Sequence, residues 1–231
     1  MADQKKQQNP KFTTPAGAFQ FPKLFEPDTK YKDAGEYSVK LRLSEEAAAP
    51  LIAKLQPLFD AAVKAGEEEY KKLPVKTRKS TAFKETPFYS PVYDEESEEE
   101  TGEVEFNFKM TASGVSKKTN KPWTRKPAVF DAKGKPILKD PEMWSGTVGK
   151  VNFEVLPYYT TIAGAGISLR LNAVQVIELR TGGAQNASAY GFEEEDGYEY
   201  EDDHGIPAGD DDETPPFDTD DEAEDDQSGD F

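Results

Sequence analysis

Apolar and polar positions along this chain alternate with two different periods, and each period marks a set of elements. From Glu36 to Leu43, Tyr37, Val39, Leu41 and Leu43 alternate with Ser38, Lys40 and Arg42, the period of a half-buried strand whose solvent face is basic. The strongest strand signal follows later: Val104, Phe106, Phe108 and Met110 alternate with Glu105, Asn107, Lys109 and Thr111. Val151, Phe153 and Val155 alternate with Asn152 and Glu154. Ile167, Leu169, Leu171 and Ala173 alternate with Ser168, Arg170 and Asn172, and the run continues through Val174, Val176 and Ile177. Ala18 to Phe25, with Phe19, Phe21 and Phe25, reads as a first strand broken by Pro22, which suits an edge or a bulge. Between Ser44 and Lys72 the period becomes helical: Ser44 has the character of an N-cap, Glu45 and Glu46 fall in the first turn, and Leu51, Leu55, Leu58, Phe59 and Val63 recur on one face. Pro50 and Pro57 are expected to kink that helix or divide it.

The connections carry charge. Leu73 to Tyr93, with Lys76, Arg78, Lys79 and Lys84, reads as a basic loop, and Asp94 to Glu100 as an acidic turn. Lys117 to Lys121 forms a basic turn leading into Trp123–Asp131, so this pair reads as a long hairpin with a cationic tip; Lys133–Lys135 makes a further turn. The body is therefore mainly β, mostly antiparallel, with about five or six strands and one helical insertion. Periodicity leaves a small barrel and a sandwich both open.

Charge separates the body from the end of the chain. The formal net charge is −17, yet residues 193–231 hold twenty carboxylates, and neither Lys nor Arg follows Arg180. What remains in residues 1–192 is 25 acidic against 28 basic side chains, a net charge near +3. The tail cannot bury enough apolar surface to offset its conformational entropy, and its like charges repel, so it is expected to be disordered. Its last residue, Phe231, joins an apolar ring to a carboxylate next to Asp230, a combination that a basic, apolar pocket can capture. The expected organisation is a disordered arm over residues 1–16, carrying Lys5, Lys6 and Lys11, one domain over 17–190, and the tail over 191–231. No run of about eighteen apolar residues suggests a membrane span.

Catalytic parts are sparse. There is no cysteine, and the one histidine, His204, lies among the tail carboxylates, so no fixed Ser-His or Cys-His pair is expected in the body. Gly146 to Lys150 lacks the spacing and the final Ser or Thr of a phosphate loop, and the acidic run lacks the pattern of a calcium loop. Neither an enzyme nor a cofactor is expected. Single-strand binding has its parts: cations along a backbone path and flat side chains on which unpaired bases stack. Lys40 and Arg42, Lys109, the group Lys117, Lys118, Lys121, Trp123 and Arg125, then Lys150, Tyr158, Tyr159 and Arg170 supply both in the same segments. Trp123 is equally suited to propping its hairpin, and the two tyrosines follow Pro157 at a strand end, where one points outward. A rival reading is an acidic chaperone or histone-like protein whose tail holds basic partners.

In this order of elements the chain resembles the single-stranded DNA-binding proteins of podovirus-type tailed phages. The resemblance is densest in Phe106–Ser113, Lys117–Thr119, Phe130–Lys135, Val155–Tyr158, Ala163–Leu171 and Gly229–Phe231. It implies an OB-fold, a five-stranded antiparallel barrel with one inserted helical segment, and sequence-nonspecific single-stranded DNA binding in replication, recombination and repair. By position it makes Lys109 and Tyr158 DNA contacts and Phe231 a docking aromatic. It further implies a tail that meets the protein's own groove or the phage DNA polymerase and helicase-primase, a homodimer, and action in the cytoplasm of the infected bacterial host.

Overall fold

Strand after strand in this chain puts every second side chain inward, and the registers let those strands meet in a ring. The computed structural model describes residues 9–30, 32–94, 96–116 and 119–181. In order they form β1 (Lys11–Thr13), β2 (Gly17–Asp28), β3 (Glu36–Ser44), α1 (Glu45–Lys72), α2 (Val75–Ser80) and β4 (Tyr89–Tyr93). Then come β5 (Glu100–Thr111), β6 (Ser113–Val115), β7 (Pro122–Thr124), β8 (Ala128–Phe130), β9 (Val148–Thr160) and β10 (Gly164–Glu178).

β2 pairs with β3, β3 with β5, β5 with β10, β10 with β9, and β9 returns to β2 through Gly17↔Gly149 and Ala18↔Val148. The pairings close into a five-stranded OB-type barrel. One correction applies to the expected antiparallel barrel: β5 and β10 run parallel at Leu169↔Phe108 and Arg170↔Lys109. Shorter strands occupy edges that the ring leaves unused. β1 joins β9, β4 joins β5, and β8 joins β10.

Inside, Phe19, Val39, Leu41, Phe106, Phe108, Val151, Phe153 and Leu171 are fully buried. Their rings link in sequence, with Phe106–Phe108 centroids 6.4 Å apart and Phe108–Phe153 4.9 Å apart. The stripe Ala48, Leu51, Leu55, Phe59, Ala62 and Gly66 lays α1 against this core, packed on β9 and β10. Ser44 caps it as expected, its Oγ accepting from Ala47 N at 3.3 Å.

Other expectations are revised. Neither proline divides α1: Pro50, Pro57 and the residues whose carbonyls they leave free, Glu46 and Ala53, are all exposed, so the lost bonds fall on the solvent side of the helix. The expected N-terminal arm is ordered where it is described. Lys11–Thr13 forms β1, Phe12 packs on Phe153, and buried Thr14 accepts from Val151 N through its Oγ at 2.9 Å. The expected basic loop contains α2 and β4. The expected long hairpin stops at Thr124, and Ala128–Phe130 leaves it to run parallel to β10. The stretch that reads as the acidic tail, with His204, Asp230 and Phe231, lies outside the described residues.

Candidate nucleic-acid interface

Because the side-chain period of a strand is two, burying Val39, Leu41, Phe108, Phe153 and Leu169 turns Ser38, Lys40, Arg42, Lys109, Glu154 and Arg170 to the outside. Register then decides which of them are neighbours. Lys23 faces Ser38, Ser38 faces Lys109, Lys109 faces Arg170, Arg170 faces Glu154, and Glu154 faces Lys11. The result is one row crossing β2, β3, β5, β10, β9 and β1.

Three carboxylates hold this surface, and each holds two cations. Glu36 pairs with Lys32 and, at 3.0 Å, with Lys109. Glu105 takes Lys40 at 2.7 Å and Arg42 Nε at 3.2 Å. Glu154 takes Arg170 and, at 3.4 Å, Lys11. Burial by itself would push the Glu36 and Glu154 carboxyls up. The bonds from Lys32 and Lys109 to the first, and from Arg170, Asn9 and Lys11 to the second, outweigh it and hold both below the ordinary carboxylate value. Two cations per carboxylate leaves the cluster net positive, and the pairing fixes long side chains that would otherwise be mobile.

The remaining candidates divide. Tyr158 shares the outer face of β9 with Glu154 and lies over Gly166, where a Cβ would come within 3.1 Å of the phenol oxygen. Tyr159 points to the other face: its ring packs on Gly66 of α1 and stacks on Phe83 at 6.2 Å. It belongs to the helix packing and is not brought to the row. Lys150 lies on the same outer line of β9, opposite Gln175, about 13 Å along the strand from Glu154 at the usual rise. Trp123 crosses its own hairpin, its indole lying where a Cβ on Gly114 would be (2.6 Å), with the Arg125 guanidinium 4.3 Å from the ring centroid. Since Arg125 N donates to Ala112 O at 2.7 Å, this hairpin extends the end of β5 beyond Lys109. Lys121 is exposed near its tip, and Lys117 and Lys118 lie outside the described residues.

Sequence reasoning missed Lys23 and the three bridging carboxylates, and left Lys11 in the arm. Only the registers bring these residues together. Among the described residues no group of three His, Cys, Asp or Glu could hold a metal ion, and no helix is long and apolar enough to cross a membrane.

A closed barrel with a net-cationic outer row and an aromatic ring on the same face defines an OB-fold of the nucleic-acid-binding kind. The match to known proteins is narrower. A family model described as the single-stranded DNA-binding protein of bacteriophage T7 matches residues 16–179, and the chain belongs to that family. It is 30% identical over 168 residues to the single-stranded DNA-binding protein of Enterobacteria phage T3, a match covering 71% of this chain and 70% of that protein. With the counterpart from Escherichia phage T7 it shares 29% over 165 residues, 69% of each. The crystal structure of gp2.5, the protein of that function encoded by bacteriophage T7, matches with a TM-score of 0.61 at 26% identity, covering 84% of this chain and 100% of that one. The single-stranded DNA-binding protein of bacteriophage Enc34, solved in complex with single-stranded DNA, shares the fold: TM-score 0.51 at 13% identity, over 75% of this chain and 89% of that one.

Proposed function

We propose that this protein coats single-stranded DNA without regard to sequence, by binding and not by catalysis, during phage DNA replication, recombination and repair in the infected host's cytoplasm. The observation that carries the reading is the row Lys23–Ser38–Lys109–Arg170–Glu154–Lys11, a cationic path across six strands on a chain whose relatives are named for single-stranded DNA binding. Phosphates compete with Glu36, Glu105 and Glu154 for the paired cations, while Tyr158 offers a base a flat surface. Lys40, Arg42, Lys121, Trp123, Arg125 and Lys150 flank the row, displaced along the strands on either side of it. Residues 191–231, as a tethered polyanion ending in Phe231, compete with DNA for that path. Displaced by a bound strand, they are free to recruit the phage DNA polymerase and helicase-primase.

The test is anisotropy binding of Lys109→Ala and Tyr158→Ala to an oligo(dT) over a salt series. Lys109→Ala should weaken binding and reduce the slope of log affinity against log salt by about 0.7, one single-strand phosphate contact. Tyr158→Ala should weaken it about 5- to 100-fold, the loss of one stack, with the slope unchanged. If neither variant differs from the native chain, the strand does not lie on this face.

A further inference from the structure

We propose that Phe21 and Trp144 form a second stacking place for an unpaired base of the strand that the basic face carries, an inference that rests on that reading of the face. Phe19 is fully buried, and unbroken alternation along β2 would turn Phe21 to the same inner side. Instead the register against β3 shifts between Gln20 and Lys23, and Phe21 takes a φ of 48°. A bulky residue in that region is an outlier that its surroundings must hold in place. Here they do so: Phe21 N donates to Ser145 Oγ at 2.9 Å, and Gly146 N donates to Phe19 O at 2.8 Å. The ring is left 67% exposed.

The turn to which Phe21 is bonded carries the second ring. Trp144, 59% exposed, donates its backbone N–H to Arg180 O at 2.8 Å, and the Arg180 guanidinium lies against Gly146. Strain, apolar exposure and a cation therefore meet at one bulge. That bulge adjoins the cationic row, for it falls between Gln20, which faces Lys40, and Lys23, which faces Ser38. Glu26, Asp140 and Glu142, with Lys23 of the row, line a hollow of about 250 Å³ beside Trp144, so its net negative charge favours phosphates on the side of Lys40 and Lys109. Flat apolar rings continuous with a cationic path suit a polyanion that shows its base faces. A single strand does so and a duplex does not.

Phe21→Leu and Trp144→Leu keep apolar bulk and remove the flat ring. Each should bind oligo(dT) about 5- to 100-fold more weakly by anisotropy, the loss of one stack, with the salt slope unchanged because no phosphate contact is lost. Lys109→Ala is the reference. If it weakens binding while both leucine variants bind like the native chain, this inference is wrong and the reading of the face stands, leaving the patch to a protein partner. If Lys109→Ala changes nothing while the leucine variants weaken, the rings touch the strand but the reading of the row falls, and with it the continuity from row to rings. Trp144 lies outside any strand, so its variant keeps a reading should Phe21→Leu fail to fold. In addition, oligo(dT) should quench tryptophan emission of the native chain, and Trp144→Leu should lose part of that quenching. In Trp123→Leu, which leaves Trp144 as the one tryptophan, emission unchanged by oligo(dT) would contradict the stack.

Discussion

Glu36, Glu105 and Glu154 set how the basic face behaves, because each holds two of its cations at once. On the proposed reading a phosphate must displace a carboxylate from Lys109, Arg170 or Lys40 before it gains the contact, so affinity is a difference between two ion pairs. Glu36→Gln removes one competitor and frees Lys109. It should tighten binding to oligo(dT) several-fold at low salt, because the phosphate contact of Lys109 no longer has to displace a carboxylate. Unchanged affinity in an anisotropy titration would mean that Glu36 does not compete with DNA for Lys109. The cations were legible in the sequence, since alternation alone turns Lys40, Arg42, Lys109 and Arg170 outward. Their carboxylate partners were not. Glu105 lies beside Lys40 and Arg42 only because β3 and β5 pair in one register, and a shift of β5 by one residue would turn Glu105 inward, away from both. Phe21 was hidden for a related reason: alternation assigns it to the core, and a positive φ at a bulge overrides alternation.

At the scale of elements, the long strands and the capped helix were readable because period and capping are local. What escaped depends on contacts between distant segments. Lys11–Thr13 is too short to show a period and is a strand only because β9 offers it an edge. Ala128–Phe130 likewise follows the hairpin in sequence but finds its partner in β10. Gly66 illustrates the same conflict inside α1. Helix propensity favours alanine over glycine by about 1 kcal/mol in an exposed helix interior. Here a Cβ would come within 2.5 Å of the Ala165 Cβ, so the missing methyl is what lets the helix lie close to β10. Gly66→Ala should therefore destabilise, by about 1–3 kcal/mol as an overpacking substitution does, read as a lower midpoint in thermal or urea unfolding. A raised midpoint would show that α1 has room to move away from the barrel.

For the whole molecule, the governing quantity is the division of charge: near +3 over residues 1–192 and twenty carboxylates beyond. In the proposed function a tethered tail competes for the basic face at an effective concentration of order millimolar. It would compete for the whole row, as Glu36, Glu105 and Glu154 would for single cations, with salt weakening both kinds of competitor together with the DNA. The measurement that tests this account most directly is anisotropy binding of the full chain and a chain ending at Tyr190 to single-stranded and duplex oligonucleotides over a salt series. The account predicts that both chains bind the single strand more tightly than the duplex. The shortened chain should be the tighter binder, by a margin that is widest at low salt and closes as salt rises. Failure of both chains to bind the single strand would contradict the basic face as its site, and equal affinities at low salt would contradict the tail as its competitor.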